Sequence, residues 1–170
     1  KISKLNNQKK INKKIQLFKE SGYCKFTYGK WILFMHIEEK SDKSIASHAH
    51  HDFLSFALYY NSMEFLLDVG RLNYSNSTEG IYGKKAKAHN SIIINNFKSS
   101  YSKADRHIPS ISKIKKTMFK VNDYNDHLKL EIKHNGFKKN IKNLEFHKRI
   151  IKLYKKKFIV EDFLIGNDSC

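Results

Sequence analysis

The 170-residue sequence has few cysteines and no long apolar run, and each shortage excludes a class of protein. Cys24 and Cys170 are the only cysteines, which excludes a disulfide framework and a paired-cysteine metal site. Cys24 lies in an apolar strand pattern, so we predict that it is a core residue. No stretch approaches the roughly 18 apolar residues of a membrane-spanning helix, so we predict no transmembrane segment.

Arginine is scarce, although positive charge is abundant. The formal net charge is +17 at pH 7, and Arg71, Arg106 and Arg149 are the only arginines. Such a field favours polyanionic partners, whether acidic polysaccharide, nucleic acid or an anionic surface. Because the chain has no arginine-rich helix, no RNA-recognition aromatic run and no zinc-finger spacing, we predict that it does not bind nucleic acid.

Short apolar or alternating segments separated by turn residues dominate the chain after residue 17. They are spaced like consecutive antiparallel strands of a sandwich. We predict an all-β domain over residues 18–170, truncated at its C-terminus, and a linker or the end of a preceding helical domain over residues 1–17. Residues 71–88 are predicted to form a long loop. The predicted strands cover residues 23–28, 31–37, 53–60, 63–69, 91–94, 113–121, 127–134, 143–151 and 157–165.

Three histidines and an aspartate fall within residues 48–52, immediately before an apolar run. Imidazoles this close repel one another when protonated and lose solvation when buried, so such a cluster usually serves metal binding or proton transfer. The alternative is a solvated polar loop between two strands. On an extended strand, His48, His50 and Asp52 share one face. His51 lies on the opposite face, and we predict no role for it.

Two more polar residues stand beside apolar segments and complete a possible metal site. Asp68 ends a strand-like run before Gly70, where a carboxylate loses solvation unless it is paired or coordinated. His89 leads into the apolar residues 91–94. With His50, these two form a nitrogen, nitrogen and oxygen donor set for a zinc-like ion, with a fourth position for water. In the alternative interpretation, Asp68 caps a turn and His89 lies in a loop.

Residues 47–56 read Ser-His-Ala-His-His-Asp-Phe-Leu-Ser-Phe, which resembles the His-x-His-x-Asp-x-Leu-Ser-Phe signature of the heparinase II/III-like polysaccharide lyases. Residues 68–70, followed by Tyr74, resemble the family's Asp-Pro-Gly…Tyr element, with valine in place of proline. Residues 87–92 resemble its Ala-His-Asn-Thr-Val element. Other segments are similar to family segments in the same order, namely residues 20–23, 134–137, 147–149 and 160–162.

The resemblance implies a supersandwich-like antiparallel β-sandwich, which in the family follows an N-terminal α/α toroid that this sequence lacks. It implies cleavage of acidic, uronate-containing polysaccharides such as glycosaminoglycans by β-elimination, with His48 as the catalytic histidine. His50, Asp68 and His89 would bind a largely structural Zn²⁺. Asp52 would orient an imidazole of the site, with Asn90 beside it. We expect the parent protein in the periplasm or cell envelope.

The expected substrate-binding residues are Tyr74, Lys84, Lys85 and Lys87. The family carries arginine in the region of these lysines, and lysine keeps the charge but loses the bidentate fork. The expected partners are acidic polysaccharide and the toroid domain, which would supply the remaining catalytic groups, so we predict no turnover by this segment alone. The alternative is a non-catalytic glycan-binding or degenerate lyase domain in surface-polysaccharide assembly.

Overall fold

Nine strands form two antiparallel sheets among the residues that the structure describes. The structure is a computed structural model, and it describes residues 11–37, 50–70, 72, 73, 75, 77–94, 116–138 and 141–167. The first sheet contains, in spatial order, β1 (Lys13–Phe18), β2 (Tyr23–Tyr28), β3 (Trp31–His36), β4 (Phe56–Tyr60) and β5 (Met63–Leu66). The second contains β6 (Lys116–Asp123), β7 (His127–His134), β8 (Leu144–Tyr154) and β9 (Phe158–Gly166). The predicted all-β antiparallel sandwich is confirmed.

Tight turns with positive φ join neighbouring strands of the first sheet. Gly29, with φ of 59°, lies in the predicted two-residue turn between β2 and β3. Asn61 and Ser62, with φ of 53° and 65°, connect β4 to β5. Two successive positive φ values give the turn a twist that matches the strands it joins.

Alternate side chains of the two sheets meet in one apolar core. Cys24 is fully buried, as predicted. The indole nitrogen of Trp31 in β3 donates to the carbonyl of Tyr154 in β8 at 2.8 Å, which links the sheets at that end of β3. The most buried members of the core include Cys24, Phe26, Leu33, Met35, Leu58, Leu130, Ile132, Ile151 and Leu153.

The structure corrects the predictions for both ends of the first sheet. Residues 13–17 belong to β1 and pair with β2 along its whole length, so they are neither a linker nor the end of a helix. We predicted that β5 continues to residue 69, but it ends at Leu66. Phe65 is exposed, and among the described residues β5 lies at the edge of the sheet.

The predicted loop over residues 71–88 contains a short helix, α1 (Thr78–Tyr82), and a 3₁₀ turn at Ala86–Ala88. The side chain of Ser77 accepts a hydrogen bond from the N–H of Gly80 and so caps α1. Residues 91–93 form no strand, contrary to the prediction, and Ile94 makes a single bridge. None of the helices among the described residues is long and apolar enough to cross a lipid bilayer.

Candidate functional site

The described part of the histidine cluster lies in a turn just before β4, not on a strand as predicted. The N–H of Ser55 donates to the carbonyl of Asp52 at 2.8 Å and closes a β-turn. Leu54, the third residue of this turn, has φ of 61°. The strand alternation used to assign side chains to faces therefore does not apply to residues 50–55. His48 lies outside the described residues, and its predicted role stays a prediction.

Asp68 and His89, which are 21 positions apart in the sequence, are in direct contact. Nδ1 of His89 lies 2.7 Å from Oδ1 of Asp68, and the His89 side chain is fully buried. Oδ1 also accepts from the N–H of Gly70 at 3.0 Å, and the hydroxyl of Ser55 donates to Oδ2. Burial alone would raise the pKa of Asp68, but the hydrogen bonds from His89 and Ser55 lower it below its ordinary value. Asp68 is thus an ionised carboxylate that is hydrogen-bonded to the ring of His89.

Asn90 ties the segments of this site together. Its N–H donates to the Ser55 hydroxyl at 2.9 Å. Its side-chain amide donates to the carbonyls of Phe56 at 2.9 Å and Leu67 at 2.8 Å. Asn90 therefore joins the segment after the 3₁₀ turn to β4 and to the segment that carries Asp68.

His50 lies beside this pair. Its ring centroid is 5.4 Å from that of His89. Nε2 of His89 is buried and has no hydrogen-bond partner among the described residues, but Asp68 contacts Nδ1, so Nε2 is directed away from that carboxylate. By residue type alone, two imidazoles with one carboxylate form a donor set that suits Zn²⁺. Within the described residues, however, no group of three histidine, cysteine, aspartate or glutamate side chains is arranged so that it could hold a metal ion. The predicted ligands are neighbours whose chemistry fits zinc, and the ligand set stays a prediction.

Two residues that the sequence did not single out border the site. His36, the last residue of β3, has Nδ1 3.1 Å from Oδ1 of Asp52, and Tyr23 stacks on the His36 ring at 4.8 Å. Burial would raise the pKa of Asp52, but the hydrogen bond to His36 and nearby histidines lower it. Burial, followed by the charges of Asp52 and Asp68, raises the pKa of Tyr23 to about 12, so its phenol stays protonated.

The lysines predicted to bind substrate follow α1 and border the histidine cluster. The N–H of His51, itself buried, donates to the carbonyl of Lys84 at 2.9 Å. Lys85 and Lys87 are exposed on the 3₁₀ turn that leads to His89. The structure thus places the backbone of this lysine-rich segment against the histidine cluster, whereas Tyr74 lies outside the described residues.

A family model described as heparinase II/III-like, C-terminal, matches residues 10–169. The chain belongs to the heparinase II/III-like family. The family predicted from residues 47–56 and the later motifs is therefore confirmed. Comparison with curated proteins finds no match.

Solved structures of polysaccharide-cleaving enzymes share the fold of this chain. A mutant of the heparan sulfate lyase HepC of Pedobacter heparinus matches with a TM-score of 0.60 and 19% sequence identity. The match covers 89% of this chain and 22% of the HepC chain. Heparinase III matches with a TM-score of 0.59 and 21% identity over 92% of this chain and 23% of its own. The chain thus spans less than a quarter of the length of these heparinase II/III-like structures.

Proposed function

We propose that the chain is the β-sandwich part of a polysaccharide lyase, located in the periplasm or cell envelope, that cleaves acidic, uronate-containing polysaccharide by β-elimination. The observation that carries this proposal is the network in which Ser55, Asp68, His89 and Asn90 bind one another. It draws three separate segments together beside the histidine cluster in a chain of a family whose solved members include a heparan sulfate lyase.

The reaction breaks the bond between C4 of a uronate and its glycosidic oxygen. A base removes the C5 proton, the electron pair forms the C4–C5 double bond, and the departing oxygen takes up a proton. The uronate carboxylate must be neutralised so that charge can develop at C5. We assign His48 as the base or the partner of that carboxylate, since histidine exchanges protons near neutral pH. The remaining groups would come from the toroid domain.

We propose that His50, Asp68 and His89 hold a largely structural Zn²⁺. The ion would supply a fixed positive charge that keeps the site segments in register. The test is the zinc content of the protein after purification in zinc-containing buffer: His50→Ala should lose the zinc that the wild type retains. The matched control is His127→Ala, which changes the histidine at the start of β7 and should retain the zinc. Equal zinc content in the wild type and His50→Ala would reject the ligand set.

The lyase proposal is tested on the full-length protein by the ultraviolet absorbance of unsaturated products from acidic polysaccharides. His48→Ala should abolish product formation and leave the circular dichroism spectrum unchanged, while His127→Ala should keep activity. Unchanged activity in His48→Ala would remove this histidine from the mechanism. The 170-residue chain alone should be inactive, and turnover by it would contradict the division of the active site between two domains.

A glycan-binding or degenerate lyase domain in surface-polysaccharide assembly is the second candidate, favoured by the lysines beside the site. Lys85 and Lys87 are exposed there, and lysine attracts an acidic glycan without the bidentate geometry of arginine. Binding of acidic glycans by the intact protein without new double bonds would support this candidate over the lyase.

A further inference from the structure

A chain of hydrogen-bonded polar side chains crosses β7, β8 and β9; His134, His147 and Arg149 are buried, and the Asp162 side chain is 24% exposed. The strand register places His134 opposite His147 and Arg149 opposite Asp162. Nε2 of His134 lies 2.8 Å from Nδ1 of His147, and Nε2 of His147 lies 2.7 Å from Oδ1 of Asp162. Nε and Nη2 of Arg149 donate to the two oxygens of Asp162, each at 2.8 Å. Arg149 is 3% exposed, so its charge is satisfied inside the protein.

The hydrogen bonds in this chain run in one direction. The N–H of Gly136 donates to Nδ1 of His134 at 2.9 Å, so the proton of that ring is on Nε2 and is donated to His147. The proton of His147 is then on Nε2 and is donated to Asp162. Burial would raise the pKa of Asp162, but hydrogen bonds from His147 and Arg149 lower it to about 2. Two neutral imidazoles and one carboxylate therefore hold the guanidinium in a single orientation.

The remaining terminal nitrogen of the guanidinium, Nη1, contacts the candidate site. Nη1 of Arg149 donates to the carbonyl of Leu54 at 2.6 Å and to the carbonyl of Asn90 at 2.7 Å. Leu54 belongs to the turn after His50, and Asn90 follows His89 directly. One side chain of the second sheet thus links the two segments that carry the site histidines.

Leu54 has a backbone conformation that leucine disfavours. Its φ of 61° places it in the left-handed region, at a turn position that normally takes glycine or asparagine. Such a conformation persists where the surroundings fix it on several sides. Leu54 is fully buried, its N–H donates to the carbonyl of His36 at 3.0 Å, and Arg149 binds its own carbonyl.

We propose that Arg149 is a positioning residue of the candidate site. Its Nη1 holds the turn at Leu54 and the backbone at Asn90 in fixed relative positions, and Asp162 with the two histidines orients the guanidinium. Lysine cannot replace it, because an ammonium group lacks the planar fork that binds Asp162 and two carbonyls together. The catalytic consequence of this role rests on the proposed lyase function, whereas its effect on the backbone does not.

Amide hydrogen exchange in Arg149→Lys tests the effect on the backbone. The amides of Leu54, Ser55 and Asn90 should exchange roughly ten- to a hundredfold faster relative to the core amide of Phe26 in β2, the fold-change expected when hydrogen bonds to a charged group are lost. Trp31→Phe is the matched control, since it removes a hydrogen bond between the sheets at the far end of β3. It should leave the relative exchange of the three amides unchanged.

Exchange that rises equally at these amides and at Phe26 in Arg149→Lys would overturn the proposal, because the substitution would then have lowered the stability of the whole domain. If Arg149→Lys fails to fold, the same exchange measurement on Asp162→Asn tests the proposal instead. Asp162→Asn preserves Arg149 and the shape of the side chain to which Arg149 binds. It should accelerate the amides of Leu54, Ser55 and Asn90 in the same way, and unchanged exchange there would overturn the proposal.

Kinetics of the full-length protein test the catalytic consequence separately. Arg149→Lys should lower kcat roughly ten- to a hundredfold with little change in KM, as expected when reacting groups are misplaced rather than substrate contacts removed. A wild-type protein that forms no unsaturated product would refute the proposed function, and the exchange data would then decide the role of Arg149 alone. Full kcat in Arg149→Lys would refute the catalytic consequence.

Discussion

Replacing His134 with glutamine should make the folded chain less sensitive to mild acid. In the native state, Nδ1 of His134 faces the N–H of Gly136, so a proton added there would set two donors against each other. The groups that face the His134 ring are His147, with Arg149 and Asp162 beyond it, and the rings of Phe53 and Phe137. The ring must therefore lose favourable contacts before it can be protonated.

The magnitude follows from the difference in proton binding between the folded and unfolded chains. Burial, followed by the charges of His147 and Arg149, lowers the pKa of His134 well below its ordinary value in the folded chain. Between the folded and unfolded pKa values the unfolded chain binds more protons, so the free energy of unfolding falls as the pH falls. Between about pH 7.5 and about pH 5.5, one such histidine with an ordinary pKa in the unfolded chain removes roughly 1 kcal/mol of the free energy of unfolding.

Urea unfolding of the 170-residue chain at these two pH values measures the effect. His134→Gln should be less stable than the wild type at the higher pH, but its loss of stability on acidification should be smaller by roughly 1 kcal/mol. Trp31→Phe is the control, because it lowers stability but removes no titratable group. It should lose as much stability on acidification as the wild type. The same acid sensitivity in His134→Gln and the wild type would refute the assignment of a neutral, buried His134.

Three further predictions concern the site and one turn. Asn90→Ala should lower the free energy of unfolding by about 1–3 kcal/mol in urea titrations, because it leaves two backbone carbonyls without donors; an unchanged midpoint would contradict this. Ser62→Gly should raise thermal stability by about 0.5–1 kcal/mol, since glycine adopts the positive φ of this turn without steric cost, and a lower Tm would count against it. Lys85→Gln combined with Lys87→Gln should weaken acidic polysaccharide binding roughly two- to tenfold at low salt; equal affinity by calorimetry would exclude these lysines from the binding surface.

Strand positions were predictable where the alternation of side chains decides burial. The predicted bounds of β2 and β7 agree with the structure, because one face of each strand packs into the core. The same pattern wrongly predicted a strand over residues 53–55. These residues are buried and apolar or small, but they lie in a turn. Burial in a turn with positive φ at Leu54 produces the same apolar run as a strand, and no glycine marks the bend.

The site was predictable only where a local motif marks its residues. Asp68 and His89 stood out because each polar side chain adjoins an apolar run, and the structure places their side chains 2.7 Å apart. His36 was missed because it ends an ordinary strand and its partner Asp52 comes 16 positions later. Arg149 was missed as part of the site because it binds the carbonyl of Leu54, 95 positions away, and backbone carbonyls leave no trace in a sequence.

The central claim is that this chain contributes the histidine cluster of an acidic-polysaccharide lyase. The most direct measurement is mass and ultraviolet analysis of the products formed when the full-length protein acts on a uronate-containing polysaccharide. We expect shorter chains that carry a C4–C5 double bond at the new non-reducing end, and no such chains with His48→Ala. Intact polysaccharide, or shorter chains without the double bond, would contradict it.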